Sequence, residues 1–284
     1  MDKNNRKPDR KQPNLILILA DDMGFSDIGC FGGEIETPNL DKLGFDGIRF
    51  SQLYNSSRCC PTRASLLTGL SPHQAGVGHM VDDWRVDPAY QGWLREDTVT
   101  IAEALKTGGY RTFYSGKWHV NWSFEPEVGL PGNTHHHKLG DPGYPHPLQR
   151  GFDRSYALMA GATSLFNPQH LLEQDQWIEP QQPDYYITDV ITDKAIEMIN
   201  EHVGSDPIDR DYLGSGGSAP FFLHLSHIAP HWPLQALPED IEKYRNYYQK
   251  GWDRLRRDRH EKLQELGLIH SQWKCSERDE YAPP

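Results

Sequence analysis

Leu15-Ile16-Leu17-Ile18-Leu19-Ala20 is a near-continuous apolar run that follows a polar segment and stops at two acids, Asp21 and Asp22. A run of this kind suits a strand covered on both faces of a parallel sheet, and it is too short to span a bilayer. A second strand is expected over residues 110–115, Tyr-Arg-Thr-Phe-Tyr-Ser, after a helix from about Thr98 to Lys106 that stops at Gly108-Gly109. A third reads Pro220-Phe221-Phe222-Leu223-His224-Leu225-Ser226, and Pro230 and Pro233 then stiffen the loop behind it. Residues 185–202 place Ile187, Val190, Ile191, Ala195, Met198 and Ile199 on one helical stripe made for packing. Residues 238–268 read as one or two charged helices away from any site. The expected fold is therefore α/β, with a mostly parallel central sheet and helices on both faces.

Each expected strand ends in polar residues. Asp21-Asp22 follow the first, Gly116-Lys117-Trp118-His119 the second, and His227-Ile228-Ala229-Pro230-His231-Trp232-Pro233 the third. The carboxyl edge of a parallel sheet is where such folds place their ligand sites. Between the first two strands lies Cys59-Cys60-Pro61-Thr62-Arg63-Ala64-Ser65-Leu66-Leu67-Thr68-Gly69. Pro61 suits the first helical position and Gly69 the position past the end, so a helix over 61–68 is expected with Cys59 at its entrance. Free N–H groups and the positive end of the dipole point there, and Arg63 is spaced to reach back along the same face. A thiol inside an anion site results.

Two adjacent acids offer hard oxygen ligands to Ca²⁺ or Mg²⁺. Lys117 and His119 supply a fixed cation and a proton carrier whose ordinary pKa is about 6.5. Taken singly, a pair of buried cysteines, an acidic turn and a solvated strand end explain these segments as well. Their convergence on one sheet edge is what points to a single cleft. His224 reads as a hydrogen-bonded core residue, and His227 stays open between core and site.

The chain has 284 residues and a net charge of −11, which argues against a nucleic-acid surface and gives no general field to steer an anionic substrate. Capture then rests on the local cations. Four cysteines, at 30, 59, 60 and 275, have no zinc or redox spacing, and no structural disulfide is expected. Residues 1–12 read as a disordered tail, and the apolar run behind it lacks the character of a signal segment, so the sequence as written is expected in the cytoplasm, or exported if its start lies upstream. No membrane anchor is expected. Residues 122–150, rich in Gly, Pro and His, read as a long loop of the kind that forms a substrate lid, with His135-His136-His137 as exposed loop histidines. Residues 205–219 read as a linker. Trp84, Trp93, Trp118 and Trp232 fit either a pocket wall or core packing.

The Cys-x-Pro-x-Arg run with its Ala-Ser-Leu-Leu-Thr-Gly continuation resembles the signature of the type I, arylsulfatase-like sulfatases of the alkaline phosphatase superfamily. Asp21-Asp22, Gly116-Lys117-Trp118-His119 and Ala229-Pro230-His231 are similar to that family's segments too. The resemblance implies that Cys59 is oxidised by a separate maturation enzyme to formylglycine, whose hydrate is the nucleophile. It implies Asp21, Asp22 and residue 59 as ligands of a divalent cation, Ca²⁺ or else Mg²⁺. It assigns Arg63 and Lys117 to the nucleophile and the sulfate, His119 to the formylglycine, and His231 to protonation of the leaving alcohol. The substrate would be a small-molecule or saccharide sulfate ester. A later Asp-Asn-Gly strand, a distant Lys and a C-terminal subdomain found in the family do not occur before Pro284, so residues 13–284 are expected to form the N-terminal part of a catalytic domain. An unpaired sheet edge and a weakly held metal should follow. Rival expectations are a phosphonate or phosphate monoester hydrolase on the same fold, and an inactive anion-binding fragment.

Overall fold

The three strands expected from the sequence form the parallel part of one sheet: β1 (Leu15–Leu19), β2 (Arg111–Lys117) and β6 (Phe221–Ser226). β3 (Arg154–Leu158), β4 (Leu171–Glu173) and β5 (Gln176–Ile178) extend it, in the order β1-β6-β2-β3-β4-β5. β4 and β5 join antiparallel, so the sheet is mixed but mostly parallel. The structure is a computed structural model that describes residues 12–82, 85–121, 140, 145–180, 182–204, 219–279 and 281. The expected tail up to residue 11, Trp84, most of the 122–150 loop with His135–His137, and linker residues 205–218 lie outside the described residues.

The chain divides into two units, Met1–Asp21 with Asn55–Pro233, and Asp22–Tyr54 with Leu234–Pro284. The first holds the sheet and three helices, α2 (Cys59–Thr68), α3 (Ile101–Thr107) and α4 (Ile187–Gly204). Successive strand residues point to opposite faces, which sorts the core into two. Tyr114 and Phe222 pack with Cys60, Ala64 and Leu67 of α2 and Ala102 of α3. Their neighbours Phe113, Phe221 and Leu223 pack with Ile187, Ile191, Ala195 and Met198 of α4. Helices therefore cover both faces, as the pattern predicts.

β1 departs from its expected setting. It pairs with β6 alone and forms the sheet edge, leaving Ile16 55% and Ile18 49% exposed. The continuous apolar run looks like an interior strand, but among the described residues no strand lies beyond it. β6, flanked on both sides, is buried throughout. β2 runs past its expected end to include Gly116 and Lys117. Gly116 has φ +119, and a Cβ there would overlap the Ser226 carbonyl oxygen of β6. Gly116→Ala is expected to cost about 3 kcal/mol, read as a lower urea midpoint; an unmoved midpoint would show that the two strands can part freely.

α2 starts two residues before the expected Pro61, because Thr62 N–H donates to Arg58 O at 2.9 Å and closes the first turn there. Pro61 still sits in the first turn, where a missing N–H loses nothing. Gly69 ends the helix at φ 70, donating to Ser65 O. α3 starts later than Thr98, at Ile101, fixed by a capping box between Thr100 and Glu103.

The second unit contains α1 (Pro38–Asp46) and the two expected charged helices, α5 (Pro238–Tyr248) and α6 (Trp252–Glu265). Among its described apolar side chains only Cys30 and Leu255 are buried. Arg259 pairs with Asp27 and Glu34 at 2.6 Å each, and Tyr248 donates to Glu34. No helix among the described residues is long and apolar enough to cross a membrane.

Candidate active site

Strand register sets the site. Leu19 and Gly116 both align with Ser226, so the carboxyl ends of β1, β6 and β2 are level. Asp21, buried just beyond β1, accepts from Lys117 Nζ through Oδ2 and faces Arg63 Nη2 at 3.4 Å through Oδ1. Arg63 reaches this point from α2. Its Nη1 donates to Lys117 O at 2.6 Å and to Ser226 Oγ at 2.5 Å, and the hydroxyls of Ser226 and Tyr114 donate to that same carbonyl. Arg63 thus braces the ends of β2 and β6 instead of turning back along α2 to Cys59. Two buried cations share one carboxylate, which leaves a surplus positive charge away from water.

Beside this group the first turn of α2 presents Cys59, half-buried, and Cys60, fully buried. Their sulfurs lie 4.0 Å apart, Cys60 Sγ lies 3.3 Å from His119 Nε2, and Met80 Sδ lies 3.8 Å from both sulfurs. His119 adopts a left-handed backbone at φ 51, uncommon for a residue with a Cβ. A Cβ at Gly161 would overlap its ring, so that glycine makes room for the imidazole. A hydrogen bond from Cys60, then His119 and the charge of Lys117, hold the Cys59 thiol well below the ordinary thiol range against the opposing effect of burial. Burial and the neighbouring Cys59 push Cys60 up, and burial pushes His119 down. The site therefore presents an activated sulfur at 59 next to a neutral imidazole.

Five expected site residues thus fall into two touching sets: Asp21, Arg63 and Lys117 in one, Cys59 and His119 in the other, joined by the field of Lys117 on Cys59. His231 occupies the loop after β6, its N–H donating to Ile228 O and its Nδ1 to Trp232 O at 2.5 Å. A carbonyl only accepts, so the neutral ring carries its proton on Nδ1. That loop is tied to the site by Asp21 N–H on Ala229 O at 3.3 Å. Asp22 opens the second unit with a left-handed backbone, φ 64. Trp118 is core, whereas Trp232 is 71% exposed.

The expected Ca²⁺ or Mg²⁺ does not fit the described residues. Both Asp21 oxygens face cations, and among the described residues no three carboxylates converge; the one such donor group is Cys59, Cys60 and His119. Calcium requires about six to eight oxygens. Ser226, Cys60, Met80, Tyr114 and Gly161 belong to the site without having been expected there.

His224 is core, as expected, but among the described residues neither ring nitrogen has a hydrogen-bond partner, and Tyr114 packs against it edge-on, the centroids 5.1 Å apart. Burial, with Arg63 adding, lowers its pKa to about 3. The unfolded ring titrates near 6.5, so in acid the unfolded state binds the extra proton. Stability is fully present above about pH 6.5 and falls as pH drops toward 3, by about 1.4 kcal/mol per pH unit for this ring. His224→Phe is expected to flatten the acid limb of a pH–stability curve, and an unchanged limb would refute the assignment.

A family profile described as Sulfatase matches residues 13–282. An arylsulfatase of Klebsiella aerogenes is 35% identical over 270 residues, covering 92% of this chain and 52% of that protein. An uncharacterized sulfatase of Schizosaccharomyces pombe is 33% identical over 274 residues, covering 93% of this chain and 46% of its own length. The chain therefore spans about half the length of these relatives. A protein solved with its substrate D-glucosamine-2-N,6-O-disulfate superposes with a TM-score of 0.59 at 25% identity, over 83% of this chain and 38% of that one.

Proposed function

The chain belongs to the sulfatase family, and from that premise we propose that it carries the anion-binding and nucleophilic part of an enzyme that hydrolyses sulfate monoesters. The observation behind this is the buried pair Arg63 and Lys117, sharing the single carboxylate of Asp21 next to an activated residue 59. Such an arrangement has room for one more negative group, and a sulfate ester supplies it. A sulfated saccharide is the substrate class we favour, because the solved relative holds one.

Conversion of Cys59 to formylglycine by a maturation enzyme would supply, once hydrated, the hydroxyl that attacks sulfur. Lys117 and Arg63 hold the sulfate oxygens and stabilise the charge that builds on them. His119, neutral at rest, takes a proton at residue 59 through its Nε2. His231, with Nδ1–H held by Trp232 O, takes up a second proton on Nε2 and delivers that one to the departing alcohol oxygen.

The test is mass spectrometry of the peptide containing residue 59 from the native host, where conversion of thiol to aldehyde removes about 18 Da. The converted protein should then cleave an aryl sulfate far faster than the phosphate ester of the same phenol. Faster phosphate cleavage would move the site to phosphoryl transfer. An unconverted thiol, in a host that matures other sulfatases, would overturn the proposal.

A further inference from the structure

Four soft donors meet at the start of α2, and ester hydrolysis uses them only in part. We propose that the unconverted, thiol form of this protein binds one Cu(I) ion through Cys59 Sγ, Cys60 Sγ, Met80 Sδ and His119 Nε2. Geometry carries this. A tetrahedral metal with metal–sulfur bonds of about 2.3 Å sets its sulfurs roughly 3.8 Å apart and sulfur to nitrogen roughly 3.5 Å. The three sulfur–sulfur separations here are 4.0, 3.8 and 3.8 Å, and Cys60 Sγ lies 3.3 Å from His119 Nε2. These four separations are already close to those of such a shell, and Cys59, Cys60 and His119 place their donor atoms within 4.8 Å of one another, so the imidazole has only to close toward the sulfurs.

Donor chemistry selects the ion. Two thiolates, a thioether and an imidazole favour a soft cation, and the thioether favours Cu(I) over Zn²⁺. Cys60 and His119 are buried, while half-buried Cys59 and Met80 leave a way in. Cu(I) enters and stays as Cu(I); any S–H proton on the two cysteines passes to solvent, and the resulting unit of two thiolates and one Cu(I) carries one negative charge. The surplus positive charge of Arg63 and Lys117 over Asp21 lies beside it and offsets that charge. Conversion of Cys59 removes a ligand, so the bound ion and the maturation of residue 59 exclude one another. The inference rests on the thiol form alone and survives even if the ester hydrolysis proposed above fails.

Anaerobic titration of the thiol-form protein with Cu(I), against the chromogenic chelator bicinchoninate, tests it. One equivalent is expected to resist the chelator, with an X-ray absorption shell of three sulfurs and one nitrogen. Cys60→Ser should abolish that retention. Met80→Leu, which keeps the side-chain volume and so the fold, should weaken binding by about tenfold or more. Loaded protein should also protect Cys59 from iodoacetamide. Failure of the wild type to hold Cu(I) against the chelator overturns the proposal. So does equal retention by Cys60→Ser and Met80→Leu, which would move the ion to Cys30 or Cys275. Retention of Zn²⁺ but not Cu(I) overturns the choice of ion. No readout depends on catalysis, so a negative result here leaves the hydrolase reading untouched, and a failed conversion assay leaves this site untouched.

Discussion

If the proposed hydrolysis holds, Cys59→Ala is expected to lose turnover of an aryl sulfate relative to the matured wild type, with a fall of at least about a thousandfold in kcat, and to leave the melting temperature nearly unmoved. The two halves of this expectation come from different facts. Alanine is the best helix former, so the first turn of α2 keeps its backbone, and the half-buried sulfur makes soft contacts with Cys60 and Met80. Little stability is lost. Chemistry, by contrast, has nowhere else to go, because Cys60 is sealed in the core with its thiol pushed away from ionisation. A variant that keeps its rate would remove residue 59 from the mechanism. A variant that loses rate and fold together would make Cys59 structural.

Asp21→Asn has the largest expected effect on stability. The carboxylate is the counter-ion of both Lys117 and Arg63, all three buried. Deleting one partner of a buried pair costs about 3–5 kcal/mol, because the uncompensated charge stays behind. For a domain of this size that corresponds to a fall of roughly 10 °C in melting temperature. Adding Lys117→Met should recover part of the loss, since one of the two stranded cations then disappears. A double-mutant cycle in thermal unfolding reads the coupling directly. Simple additivity would mean that the two side chains do not depend on each other.

Much of this was legible in the sequence because it is written in short periods. Six consecutive buried positions in β6, the apolar stripe of α4 and the glycine that ends α2 need only neighbouring residues to specify them. Cys59, Lys117 and His119 were placed together because parallel strands end on one edge whatever their order. The position of β1 was not legible. An apolar run states that a strand wants cover, not whether a neighbour is present to provide it. Ser226 and Met80 escaped for a related reason: their partners, Arg63 and the two cysteines, are distant in sequence, and neither residue lies in a pattern that announces chemistry. His224 was misread in its bonding because burial can be inferred from a strand pattern, whereas a missing hydrogen-bond partner cannot.

The edge position of β1 has a consequence for the charge balance of the site. A strand held by one ladder opens more readily than one held by two. Asp21 follows that strand by two residues, so each opening of the edge draws the carboxylate away from Lys117 and Arg63, whose own strand β2 and helix α2 are anchored in the core. In the closed edge the protein supplies its own anion. In the opened edge it demands one from solution. Breathing of the sheet and appetite for anions are therefore one equilibrium seen from two sides, and dissolved sulfate should speed amide exchange along Leu15–Leu19 as it takes the place that Asp21 vacates.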